Sequence, residues 1–168
     1  MRSAAAVFAA VALVATSANA DELVPPPDGA RLLFEAEAVG VQIYTCEAQG
    51  AGFAWVLKAP DARLVDKQGH EVATHFAGPT WKATDGSSVV GEAVARADAP
   101  GGKAIPWLLL KAKSHVGAGV MSNVAFIRRS ATRDGLQAPA GCDAAHKGAE
   151  ARSPYSAIYQ FYGAAPAK

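Results

Sequence analysis

The chain carries no surplus charge of either sign: 16 Lys and Arg stand against 15 Asp and Glu. Neither sign is gathered into a long block. Nucleic acid and anionic membrane surfaces recruit proteins through dense positive charge, so neither is an expected partner. Cysteine is scarce, with only Cys46 and Cys142, and no CxxC spacing or clustered Cys/His set accompanies them. Zinc sites need three or four converging ligands, and the chain has four histidines in all. His70 and His75 are five apart on an expected strand, which places them on opposite faces. No metal and no cofactor is therefore expected. The G-x-S-x-G nucleophile elbow is absent. Gly117-Ala118-Gly119 has no third glycine at dinucleotide spacing, and the residues after it read as a strand rather than a phosphate-holding helix. Glu35, Glu37, Glu47 and Glu92 are scattered, and nothing in their placement favours a glycosidase pair. There is no internal repeat and no long amphipathic helix.

The N-terminus has the plan of a secretory signal peptide. Arg2 supplies a positive charge, Ala4 to Val14 form an uncharged apolar run, and Ala18-Asn19-Ala20 offers a small-x-small cleavage site before Asp21. The run is too short to span a bilayer, and no lipid-anchoring cysteine stands near the cleavage site. Residues 1–20 are read as the signal peptide, 21–162 as one domain and 163–168 as a flexible tail. The protein is expected to be exported, to periplasm or medium, with no transmembrane segment in the mature chain. In an oxidising compartment an isolated cysteine pair forms a disulfide, so Cys46 and Cys142 are paired.

Strand character dominates the mature chain. Val41 to Cys46 alternates, with Val41, Ile43 and Thr45 on one face and Gln42, Tyr44 and Cys46 on the other. Further strand-like segments are Phe53 to Lys58, Ala62 to Val65, Glu71 to Phe76, Ser87 to Val94, Ile105 to Lys113, Val120 to Ile127 and Tyr155 to Tyr162. Turn signals separate them at intervals of roughly 8–12 residues, the spacing of a sandwich or barrel. A helical turn is expected over Ala93 to Ala99 and a short helix over Cys142 to Ala151. The fold class is all-β: a single-domain antiparallel β-sandwich or closed β-barrel with one disulfide.

The stretch HFAGPTWKATDGS, His75 to Ser87, gathers most of the chemistry. Asp85-Gly86 is first a turn signal. His75, Trp81 and Asp85 are the candidate ligand-binding residues, on a connection between strands, where binding groups are often carried. Trp55, Trp81 and Trp107, with Tyr44, Tyr155, Tyr159 and Tyr162, serve either as core anchors or as an aromatic surface for a small apolar molecule or sugar.

In the combination of GVQIYTC (Gly40 to Cys46), HFAGPTWKATDGS, IPWLLLKA and PYSAIYQFY, the chain resembles the DUF3455 family of exported bacterial and fungal proteins. The resemblance runs from about Val24 to Tyr162, departing at Phe76, where tyrosine is commoner. It implies a secreted single domain and supplies no activity. The expected function is a non-catalytic binding module for a small molecule, glycan or protein. One alternative is a hydrolase or metal-dependent enzyme using His75, Asp85 and His115. Another is a structural surface protein.

Overall fold

The computed structural model describes residues 23–166. The expected signal peptide and its cleavage site lie outside them, as do the last two residues of the expected tail. Eight strands succeed one another in chain order: β1 (Arg31–Gln49), β2 (Gly52–Val65), β3 (Glu71–Phe76), β4 (Thr80–Ala83), β5 (Ser88–Ala97), β6 (Trp107–Val116), β7 (Phe126–Asp134) and β8 (Glu150–Gly163). Each pairs antiparallel with its neighbours in sequence, and β1 pairs with β8 from Arg31↔Gly163 to Thr45↔Glu150. The single sheet thus closes on itself in up-and-down order. Between the strands lie 3-10 turns at Pro100–Gly102 and Ala144–His146.

Several segments differ from the sequence expectation. Ala93 to Ala97 is strand, and the expected helix after Cys142 is one 3-10 turn capped by Asp143, whose carboxylate accepts from the Ala145 and His146 amides. Phe53 to Lys58 and Ala62 to Val65 form one strand despite Pro60 between them. Proline is tolerated there because residues 52–61 of β2 pair only with β1, and β3 joins at Ala62. A missing N–H costs nothing on an unpartnered edge. Pro154 occupies the matching place in β8, before β7 pairs at Tyr155. The C-terminal half of β1, flanked by these halves of β2 and β8, therefore projects as a three-stranded wall beyond β3 and β7.

Up-and-down connectivity sends alternate connections to opposite ends. The β2–β3, β4–β5 and β6–β7 connections share one end, and that end is plugged. Val120 to Val124, expected as strand, is a pair of turns, with Ser122 N donating to Gly119 O and Val124 N to Met121 O. Its apolar spacing serves burial instead, since Met121 and Val124 are almost fully enclosed. The plug is fastened by the Asp85-Gly86-Ser87 turn. Asp85 Oδ1 accepts from the Ser87 amide (2.9 Å) and hydroxyl (2.6 Å), and Oδ2 from the Val120 amide (2.8 Å). Ser87 Oγ in turn accepts from the Met121 amide at 3.2 Å. Gly119 is required here, because a Cβ would stand 2.3 Å from Asp85 Oδ2.

The inward row packs small against large. Ala36, Ala38, Ala62, Ala73, Ala83 and Ala157 leave room for Trp81, Phe161, Leu64 and Ile127. Outside the barrel, Val24, Ala99, Trp107 and Leu109 form a satellite cluster, where the start of the described chain and the β5–β6 connection cover β6.

The Cys46–Cys142 disulfide is present and spans 96 residues of sequence. It ties the β7–β8 connection to the projecting wall. By the chain-entropy relation, a loop of this size contributes about 4.7 kcal/mol. The Cys46→Ala/Cys142→Ala double variant should lose that much in urea titrations, with the largest gain of hydrogen exchange in residues 135–149. Ser87→Ala should cost about 1–3 kcal/mol, read in the same titration, because it orphans the buried Met121 amide.

Candidate functional site

At the end opposite the plug, the interior is not filled. A cavity of about 510 Å³ opens there, lined from β1 by Gln42 and Tyr44, from β3 and β4 by His75 and Trp81, and from β7 and β8 by Arg129 and Tyr159. The projecting half of β2 supplies Trp55 to one side, and Leu136 and Gln137 of the disulfide-tied connection reach over it. Two bonds hold that connection in place: Tyr44 Oη donates to Gly135 O (2.7 Å) and Trp55 Nε1 to Ala140 O (3.0 Å). The strand alternation is thereby reversed from simple expectation. In β1 the polar Gln42 and Tyr44 point inward, while Val41 and Ile43 are half-buried outside.

The floor is an aromatic stack. His75 and Trp81 are directly opposite in the β3–β4 ladder, so their side chains share a face, and their rings lie 4.3 Å apart and 6° from parallel. Tyr159 meets both edge-on, at 5.3 and 5.5 Å, an arrangement favoured by ring quadrupoles. Gly91 makes room for this: a Cβ there would lie 3.0 Å from the Trp81 ring.

His75 Nδ1 lies 2.9 Å from Thr80 O. A carbonyl only accepts, so Nδ1 carries the proton and Nε2 is the acceptor in the neutral ring. Nε2 has no hydrogen-bond partner among the described residues. Burial pulls the ring's pKa down to about 3, opposed by the Thr80 carbonyl and reinforced by the Arg129 charge. His75 is neutral throughout the physiological range.

Arg129 is nine-tenths buried. Its Nε and Nη2 both donate to Pro106 O, at 3.0 and 2.9 Å, and no carboxylate pairs with it among the described residues. Leu108 lies directly opposite it in the β6–β7 ladder. A bulge in β7 comes next, between Ser130 and Arg133, with Ala131 at φ 47°. That left-handed backbone is costly for a residue with a Cβ, and bulges concentrate beside sites because they re-aim side chains.

Three lining residues, each almost fully buried, have a polar atom with no partner: Gln42 Nε2, Trp81 Nε1 and Tyr159 Oη. Tyr155 Oη, from the inward-facing half of β8 on the mouth side of Tyr159, is also unpaired. The two tyrosine hydroxyls are close enough to oppose ionisation of Tyr155, yet no well-formed hydrogen bond joins them. Buried polar atoms in native proteins are almost always satisfied; Trp107 Nε1 of the outer satellite cluster is also unpaired, but the other four of these atoms belong to residues of the barrel interior.

Of the three residues singled out in the sequence, His75 and Trp81 are in contact and line the cavity. Asp85 is in the plug clasp at the other end, its carboxyl held below the usual range first by the Ser87 hydroxyl and then by the Val120 amide. His115 is exposed, with Nε2 2.7 Å from Val124 O. It lies in one ladder row with His75 (His75↔Trp81↔Val89↔His115), three strand spacings away, or roughly 14 Å along the sheet. No hydrogen bond links any two of His75, Asp85 and His115, and no three His, Cys, Asp or Glu side chains among the described residues are grouped to hold a metal ion. Arg129 and Gln42 were not distinguished by the sequence. The signal available for Gln42 was its place on the Tyr44 face of a cleanly alternating strand.

The family model described as Protein of unknown function (DUF3455) matches residues 26–163. No curated protein and no solved structure matches the chain.

The depressed pKa of His75 gives an acid sensitivity of known sign. The unfolded imidazole takes up its proton near pH 6.5, whereas the folded one resists to about 3. The unfolded state binds more protons across that window, so stability is full above it and falls as the pH drops. Between pH 7 and 4.5 urea titrations should show a loss of about 2–3 kcal/mol from this group. His75→Phe, which keeps a ring on Trp81 but cannot titrate, should flatten that slope.

Proposed function

The chain belongs to the DUF3455 family, whose description names no activity, and we propose from the cavity that the protein is an exported, non-catalytic binding module for a small molecule. The observation that carries this reading is the set of unpaired buried polar atoms, Gln42 Nε2, Trp81 Nε1 and Tyr159 Oη, facing a cavity lined largely by aromatic and aliphatic side chains. Ligand pockets are built this way, with an apolar lining and a few placed polar groups in a volume of about 300–1,000 Å³. An eight-stranded barrel has an interior just wide enough for side chains or one small ligand; here one half holds side chains and the other is free. The aromatic stack would form one face of the site, and the disulfide-tied connection its cover. His75 and Trp81 are then ligand-facing residues, while Asp85 acts only through the plug.

Export is supported by the leader-like N-terminal sequence and by the disulfide. Among the described residues no helix is long and apolar enough to cross a membrane.

N-Phenyl-1-naphthylamine, a neutral apolar fluorophore, tests the cavity. The protein should bind it with one-to-one stoichiometry and enhanced emission. Ala93 lines the cavity and is exposed there, so Ala93→Trp adds a ring without a clash in the packed half. That variant should melt within a few degrees of the parent and lose the probe. Equal binding by both proteins would place the probe elsewhere and remove the support for this reading.

A further inference from the structure

We propose that the ligand of this cavity is an organic anion, a carboxylate on a planar apolar body, with the carboxylate paired to Arg129. The inference deepens the binding reading above and rests on it.

The first argument is charge. Arg129 is a buried guanidinium whose only hydrogen-bond acceptor among the described residues is the Pro106 carbonyl. Buried charges in proteins are paired or coordinated, and a neutral carbonyl does not compensate a full positive charge. Two of the guanidinium nitrogens are committed to that carbonyl, which orients the group and leaves Nη1 for the cavity. A carboxylate is the complementary acceptor, and arginine's planar fork suits it.

The second argument is the sign of everything else in the wall. None of the cavity's lining residues is Asp or Glu, whereas Lys58 and Arg96 join Arg129. Lys58 is also bridged to Glu150 at the surface, so its charge is shared; Arg96 is exposed and available to an approaching anion. Trp81 Nε1 is a donor that cannot accept, and it is unpaired. A wall with three cations, an unpaired indole N–H and no carboxylate rejects cations and favours acceptors.

The third argument is shape. The His75–Trp81 stack, with Tyr159 set edge-on to both, puts aromatic rings in the cavity lining, and Leu108 and Leu110 stand on the β6 side. Such a lining would strand the hydration shell of an inorganic anion but would bury an aromatic or fused-ring body. The unpaired His75 Nε2 is an acceptor, so a hydroxyl on that body would find a partner there. A neutral sugar fits less well, since it would leave the guanidinium uncompensated.

A matched acid and amide separate charge from shape. The disulfide-intact protein is titrated at pH 7 with 1-naphthylacetate and with neutral 1-naphthylacetamide, each competing with N-phenyl-1-naphthylamine. The acid should bind at least tenfold more tightly than the amide. Arg129→Gln should bring that ratio close to one while retaining the amide and the neutral probe. Equal affinity of acid and amide for the parent protein overturns the anion inference and leaves the binding reading standing, as does displacement of the probe by neither. Failure of the neutral probe itself overturns the binding reading. Should Arg129→Gln not fold, the acid-to-amide ratio of the parent protein still decides the question.

Discussion

The pairing of β1 with β8 is the constraint on which the rest of the structure depends. It joins the first strand to the last, from Arg31↔Gly163 to Thr45↔Glu150, and turns a meander into a closed sheet. Closure gives every strand an inside and an outside, so each position's role is set by its parity. Gly40 shows how tight the β1 ladders are, since a Cβ there would stand 2.2 Å from the Asp61 carbonyl oxygen of β2. The long sequence separation of this ladder also means that its closure entropy is met before its contacts form. The disulfide acts in the same direction, joining Cys46 on β1 to the connection that leads into β8.

A closed eight-stranded interior has a set width, and the two halves of this one are filled in opposite ways. Toward the plug, alanines on β1, β2, β3, β4 and β8 surround the large side chains, and Met121 and Val124 seal the end. Toward the mouth, the inward residues include Gln42, Tyr44, His75 and Arg129 beside Leu108 and Leu110, and each of the first four asks for a hydrogen bond as well as filling space. The Trp81–His75–Tyr159 cluster is the boundary, packed from below by Phe161 at 6.2 Å. A barrel meant only to be stable would place aliphatic side chains above this boundary, because a half-satisfied polar interior is worse than an apolar one. The polar mouth is thus a cost borne by the packed half.

Strand content and the disulfide were legible in the sequence because each has a local signal: alternation between regularly spaced turn residues, and an isolated cysteine pair. The segment from Arg31 to Gly40 was not, since Glu35 to Ala38 is built of Glu and Ala, both depleted in strands, and its inward residues are only alanines. The Val120 to Val124 plug failed for the converse reason: its alternation is real, but it buries side chains from a turn. Pro60 lies in the gap between two segments expected as separate, and the staggered ends of β2 and β3 leave it on an edge that β3 does not reach. Closure itself has no local signature, because it is a relation between residues more than a hundred positions apart.

The site was half legible for a related reason. His75 and Trp81 stand out because two uncommon residue types occur close together near a turn, and ladder pairing then brings them face to face. Asp85 stood out on the same grounds, yet the β4–β5 turn carries it to the opposite end, where a carboxylate is needed to collect three donors around Gly119. Arg129 drew no attention, because one of two consecutive arginines on a strand reads as ordinary surface charge. Parity decides otherwise. Arg128 reaches Gln160, itself bonded to Glu35, while Arg129 lies across from Leu108 in the cavity wall. Among the described residues no inward position of the mouth offers it a carboxylate, and that missing counter-charge is the feature of the interior that the chain does not supply from within.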